Sequence, residues 1–492
     1  MRGQFTSAGI LEVAALTAIL SISGIHEALH QTCLTSITNG DFWWHLRVGL
    51  GILKTHAVPH TGLYSQASTL PWIASSWLYD LVLATGYRMM GLRIVLMAAI
   101  LFKFALALVV FLLAGGLRGR FWSATILSSL AQYILGNLQP LPLYCSVLAL
   151  CIELILLMRC RRSGSVKPLY WLPCLFVVWA NLDLQFVYGI IALLLFAGTC
   201  IVETRGGHDG TLWAGQITAA PLKQIGVITG ASFGATLITP YGWMPYATFF
   251  SQATSAANRY FPEYQSLRFR TSQDYVLLLL IMASFLVLGI CRSRDPFQIG
   301  LLLFATVLSF RAQEDVWLAT LVAVAVVSNA VPETDSSQMP SSTWQCATAA
   351  VMGLVVLLVA MMSYGPRSDQ GVLARIRAGF PVAAADYIRE QHLPQPLFNS
   401  YPWGGFLTWY LPEYPVATDG RSDLYEADFN IQYAKMMNAD AHYSTFARLN
   451  QARTLLLEKD SLMGKALPTV TGFRVAYADD VAVVLLRQEQ QQ

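Results

Sequence analysis

Apolar runs of roughly 18 to 22 residues recur along the chain, from Gly9–Leu29 to Thr343–Ser363, and this is the length a helix needs to cross hydrocarbon. Backbone inside lipid must satisfy its own hydrogen bonds, so runs this long become spanning helices. Composition agrees. Of 492 residues, 55% are hydrophobic and 12% charged, and that charged share is about half of what a soluble domain carries. The sequence predicts a mainly α, polytopic membrane protein.

One stretch, Leu70–Met90, reads either as a span or as an amphipathic helix lying in the interface with Trp72 and Trp77 at headgroup level. Charge decides between them. With Leu70–Met90 interfacial and the N-terminus cytoplasmic, further spans fall at Leu92–Gly115, Phe121–Gly136, Pro142–Met158, Leu169–Asn181, Leu184–Val202, Pro221–Thr239, Asp274–Ile290, Phe297–Phe310 and Val316–Ala330. That makes about eleven spans, and the inside loops then hold Arg118, Arg120, Arg159, Arg161, Arg162, Lys167, Arg205, Arg292 and Arg294, the positive-inside pattern. Arg2 and the first apolar run lack a convincing cleavage site, so the first span is read as retained.

Two domains are expected: a transmembrane domain over 1–364 with a large first outer loop at 30–91, and a C-terminal extracytoplasmic α/β domain over 365–492. In that tail PLFNS, TLLLE, FRVAYA and VAVVLLR alternate with short helices, including Asp428–Asn438 and His442–Gln451. The last two runs flank an Asp-Asp turn and read as a hairpin.

Several function classes drop out. A net charge of +3 with no basic cluster gives no footprint for nucleic acid. The eight cysteines, Cys33, Cys145, Cys151, Cys160, Cys174, Cys200, Cys291 and Cys346, show no CxxC or Cys/His metal spacing. Neither a structural disulfide nor zinc is expected, and no cofactor is implied. A divalent metal is not indicated, although Asp80 or Asp183 would be able to join Asp41 in holding one. The chain has no phosphate-binding Gly loop, HExxH or GxSxG.

Chemistry-bearing residues gather between Thr38 and Asp80. Asp41 is a candidate general base toward an acceptor hydroxyl or amine; the plainer reading makes it the N-terminal signal of the helix FWWHLRVGLGIL. Trp43 and Trp44 suit stacking on a sugar or anchoring at the interface. His45 and Arg47 suit a phosphate, Arg better because its fork is bidentate, or else a structural pairing. His56 and His60 flank Pro59 in a turn. Asp80 is a second loop acid. Lys103 stands inside an apolar span, where a cation meets a lipid phosphate or a buried partner such as Glu12. Asp183 marks a polar break between spans. Glu263 lies among Arg259, Arg268 and Arg270, either an anion site or a solvated ion-pair network. Asp419, Arg421 and Asp423 form a ligand loop or an Asp-Gly turn clasped by Arg and Asp.

DFWWHLRVGLGI at Asp41–Ile52, PHTGLYS, PWIASSWLYD, WANLDLQFVYG at Trp179–Gly189, TPYGW at Thr239–Trp243 and the tail's Phe398–Tyr425 together resemble a group of bacterial multi-pass proteins. Those proteins look like distant relatives of the GT-C glycosyltransferases, which use polyprenyl-phosphate sugars. The resemblance implies an acidic base in the first outer loop, which falls on Asp41, and an interfacial helix in that loop. It departs from the group at Ser75 and Ser76, where a His-Glu pair is usual. It departs again at Asp183-Leu184-Gln185, in place of His-Gly-Gly, and at Gln139-Pro140, in place of Arg-Pro. What it implies is an inverting glycosyltransferase that moves a sugar from an isoprenoid-phosphate donor to an acceptor on the outer face of a bacterial inner membrane. Asp41 would be the base, and Trp43, Trp44, His45, Arg47, Asp80, Lys103, Asp183 and Glu263 would hold substrates. The alternative is a catalytically inactive subunit of a larger membrane assembly, partnered by other membrane subunits. A transporter is a third reading, against which no matched pair of broken spans is seen.

Overall fold

The computed structural model describes residues 7–30, 40–117, 120–205, 219–293, 295–330, 343–365, 368–437, 446–469 and 472–488. Arg2, Cys33, Thr38, Arg118, the Arg205 side chain, Arg294, Asn438 and His442 lie outside them. Each of the expected apolar segments is helical. Six helices among the described residues are long and apolar enough to cross a membrane by length and composition: Gly9–Leu29, Arg93–Leu113, Pro142–Ser163, Phe186–Thr204, Ser272–Ile290 and Trp344–Tyr364. The helices Phe121–Ile134, Leu172–Leu182, Pro296–Arg311 and Val316–Ala330 are shorter.

The chain divides into two units. The first takes Met1–His30, Met97–Tyr246 and Phe261–Gly365; the second takes Gln31–Leu96, Ala247–Tyr260 and Pro366–Gln492. The long first loop and the tail thus belong to one unit although some 270 residues separate them in sequence.

In the first unit small residues let helices close up. A Cβ on Gly24 would meet Leu357 at 2.5 Å, and one on Gly353 would meet Leu20 at 3.3 Å, so the first and last helices of this unit pack closely. Some buried polar groups are paired across helices: Asn181 donates to the Ile238 carbonyl at 2.9 Å, and Arg161 reaches Glu203 at 2.7 Å and Asp295 at 3.1 Å.

The second unit contains a four-stranded sheet. Its strands are β1 (Leu397–Asn399), β2 (Thr454–Glu458), β3 (Phe473–Ala478) and β4 (Ala482–Arg487), in the order β1-β2-β4-β3. β1 and β2 run parallel; β4 is antiparallel to both β2 and β3. β2 and β4 are apolar and buried, and Phe398, Leu455, Leu457, Leu467, Val483 and Leu485 form their core. The stretch Leu70–Met90 is helical only from Trp77. Before that, Thr61 bridges Pro71 and Trp72 N–H reaches the His60 carbonyl, so the chain folds back on itself.

Candidate functional site

The helix Asp41–Thr55 carries the expected residues. It opens with a carboxylate in its first turn, favourable at the positive end of the helix dipole. His56 closes it in the left-handed region, with its N–H on the Ile52 carbonyl. Phe42, Trp43, His45, Leu46, Val48, Gly49 and Ile52 are buried. Asp41, Trp44 and Arg47 are half-buried. They stand at three-residue spacing, where helix side chains neighbour one another, and form the open strip of the first two turns, whose other side chains are buried.

Along this strip the Trp44 indole N–H donates to Asp41 Oδ1 at 3.1 Å. The Trp44 ring stacks on His45 with centroids 3.6 Å apart. His45 Nδ1 lies 2.5 Å from Asp80 Oδ1, and both side chains are buried. Asp80 Oδ2 is buried without a partner. Burial pushes the Asp80 carboxyl above its usual range, while His45 and then Arg421 pull it back. Arg47 has no hydrogen-bond or ion-pair partner among the described residues; its guanidinium sits 4.4 Å above the Tyr64 ring. Tyr64 adopts a φ of 70°, a conformation that side chains rarely hold away from functional or tightly constrained positions.

The tail completes the site. Glycines at 404 and 405 let the helix Tyr401–Tyr410 touch two backbones at once. A Cβ on Gly404 would lie 2.0 Å from the Thr418 carbonyl, and one on Gly405 would lie 1.9 Å from the Gly40 carbonyl. Gly420 passes directly under Asp41: its Cβ would fall 1.6 Å from Asp41 Oδ1. On either side of it, Asp419 and Arg421 form a buried ion pair at 2.6 Å. Arg421 also donates to the Leu63 carbonyl at 2.9 Å and covers the Trp72 ring. Trp72 Nε1 donates to Asp423 at 3.1 Å. Burial pushes the Asp423 carboxyl up to about 6, against the pull of that bond. The Asp-Gly-Arg motif is therefore a clasp that sets Gly420 against Asp41. Sequence marked the clasp and its Asp-Gly turn and gave Trp72 an interfacial place, but it marked neither Tyr64 nor the approach of Gly420 to Asp41. A glycine inside an Asp-x-Arg turn was the available signal for Gly420.

The remaining expected residues stand elsewhere. Trp43 is fully buried, ringed by Trp409, Phe406 and Phe380 at 4.7 to 6.0 Å, and is core rather than substrate surface. In the first unit Lys103 pairs with Glu27 at 2.5 Å and donates to the Gly136 carbonyl at 3.2 Å. Its partner is Glu27, not the Glu12 considered from sequence. Asp183 accepts from Ser146 at 2.5 Å, and Ser146 accepts from the Trp179 indole at 2.7 Å. Glu263 is exposed and makes no ion pair among the described residues. Also among the described residues, no three His, Cys, Asp or Glu side chains stand together as a metal set.

No protein-family model matches the chain, and no curated protein matches it in sequence. Among solved structures, it is similar to ArnT from Cupriavidus metallidurans bound to undecaprenyl phosphate, at 12% identity over 98% of each chain with a TM-score of 0.48. It is also similar to apo ArnT of that organism, at 13% identity over 90% of this chain and 92% of that one, with a TM-score of 0.43.

Proposed function

We propose that the protein is a membrane glycosyltransferase that moves a sugar from a polyprenyl-phosphate donor to a hydroxyl or amine acceptor. One observation carries this reading: the open strip of the helix Asp41–Thr55 presents a carboxylate, an indole and an unpaired guanidinium in order. Asp41 takes the acceptor's proton. The Trp44 ring faces the sugar. Arg47 meets the donor phosphate, a role its planar fork suits. The acceptor atom attacks the anomeric carbon as the bond to the phosphate oxygen breaks, and the electron pair leaves with the lipid phosphate. A single displacement of this kind inverts the anomeric centre. With a phosphate leaving group, catalysis rests on placement and charge. In this reading the chain spans a bacterial inner membrane about eleven times, with the Asp41 loop and the tail on the periplasmic side.

The test is binding of undecaprenyl phosphate to the purified full chain. Charged hydrogen bonds contribute about 1.5–3 kcal/mol, so Arg47→Gln should weaken binding at least about tenfold, and Arg47→Lys should weaken it less. Equal binding by wild type and Arg47→Gln would remove Arg47 from the site.

A second reading, an inactive subunit of a membrane assembly, is favoured by a different observation: Lys103, Asp183 and Asp80 are all engaged in internal pairs. On that reading no variant along the strip alters any glycan.

A further inference from the structure

The transfer chemistry above does not use the buried His45–Asp80 pair of the second unit. His45 Nδ1 and Asp80 Oδ1 are 2.5 Å apart, Asp80 is fully buried, and its Oδ2 has no partner. A buried carboxylate with an unsatisfied oxygen is costly as a bare anion. A hydrogen bond from the imidazole Nδ1–H to Asp80 Oδ1 offsets part of that cost. Because Nδ1 is taken by Asp80, the ring's working nitrogen is Nε2, which has no partner among the described residues. A carboxylate that fixes an imidazole through Nδ1 and leaves Nε2 open is the arrangement used for acid–base work.

The location fits. His45 lies one helical turn beyond Asp41, and Trp44 joins them, holding Asp41 through its indole N–H and stacking on the imidazole. The charged and titratable groups around the pair are Asp41 and Arg47 on its own helix, Tyr79 edge-on to the imidazole at 5.4 Å, and Arg421 from the tail, whose charge favours ionised Asp80. Asp419 pairs with Arg421, and Asp423 is held by Trp72.

We propose that His45, oriented by Asp80, is a second acid–base group of this site, the one through which the acceptor's proton leaves. The proposal rests on the transferase reading. As the acceptor's bond to the anomeric carbon forms and the sugar–phosphate bond breaks, the acceptor's proton passes to Asp41, then to His45 Nε2, then to water. Asp41 is left ionised for the next turnover, and nothing is oxidised or reduced. His45 is a catalytic residue in this scheme and Asp80 a positioning one.

The experiment uses full-length protein in native membranes and measures formation of the glycan that a deletion strain lacks, over about pH 5 to 8. Wild type should lose rate on the acid side, because a base that already carries a proton cannot accept another. His45→Gln should lower kcat by about 100-fold with KM unchanged, and should abolish that acid limb. Asp80→Asn preserves an acceptor for Nδ1–H and hence the fold, and should still flatten or shift the limb. If both folded variants keep wild-type kcat and the acid limb while Asp41→Asn is inactive, the relay is wrong and the transferase reading stands. If Asp41→Asn too matches wild type, the transferase reading itself fails.

Discussion

Gly49 sits where the helix Asp41–Thr55 crosses the helix Trp77–Met90. A Cβ there would lie 1.9 Å from the Asp80 carbonyl oxygen and 2.8 Å from the Ala84 Cβ. Carbon settles on a carbonyl oxygen at about 3.3–3.6 Å, so Gly49→Ala must open the crossing by about 1.5 Å. The obstacle is backbone, and no rotamer change relieves it. The opening falls at Asp80 itself, whose 2.5 Å contact with His45 cannot survive it. Overpacking of this kind costs about 1–3 kcal/mol, against about 1 kcal/mol gained when alanine replaces a mid-helix glycine. Gly86→Ala is the control: it collects the same helix gain, but its Cβ meets only the Ile94 side chain, at 2.5 Å, which can turn aside. At about 2–4 °C per kcal/mol, Gly49→Ala should melt several degrees below Gly86→Ala in detergent. It should also lose the acid limb that the pair gives the pH profile. Equal melting temperatures for the two variants would refute the close crossing, and with it the forced geometry of His45 and Asp80.

Other perturbations separate the site from the scaffold. Gly420→Ala puts a methyl where Asp41 Oδ1 now lies, so transfer should fall by about 100-fold while thermal unfolding shifts little. Asp423 is raised to about 6 from 3.8. Its folded form therefore binds the extra proton, and stability falls as pH rises through that window, by about 3 kcal/mol in all. Asp423→Asn should accordingly be more stable than wild type at neutral pH and equal to it near pH 4, as read by melting at the two pH values. Trp43→Ala should cost about 3–5 kcal/mol and leave no folded second unit to assay, as limited proteolysis would show. Glu27→Gln strands the Lys103 cation in the bundle and should cost about 3–5 kcal/mol; adding Lys103→Met should restore most of that in thermal unfolding.

Much of the helical part was legible in the sequence because apolar length has one structural answer in lipid. The segments read as spans are all helices, and the tail's alternating runs became the strands of one sheet, with apolar β2 and β4 paired at its centre. The pairings were not legible. Nothing in sequence tells Glu12 from Glu27 as the partner of Lys103, since both lie on the same apolar helix and only packing against the helix Arg93–Leu113 selects one. His45 and Asp80 are 35 residues apart, and their meeting depends on Gly49 allowing two helices to touch. Trp43 and Trp44 are neighbours with opposite fates, one in the core and one on the strip. There a signal existed: Asp41, Trp44 and Arg47 share a three-residue period that Trp43 lacks, and a polar row of that kind marks the open side of a helix. The run Pro415–Ala417 makes an isolated bridge from Val416 to Ser65 and leads into the 419–423 clasp.

In the proposed reaction Asp41 acts on an acceptor at this strip. The most direct test is a glycan profile of envelope lipids and proteins from cells carrying wild type, a deletion, or Asp41→Asn at matched protein levels. The deletion and Asp41→Asn should lose the same sugar. A deletion phenotype with Asp41→Asn indistinguishable from wild type and no glycan changed would contradict it, and would make the protein a structural partner in a membrane assembly.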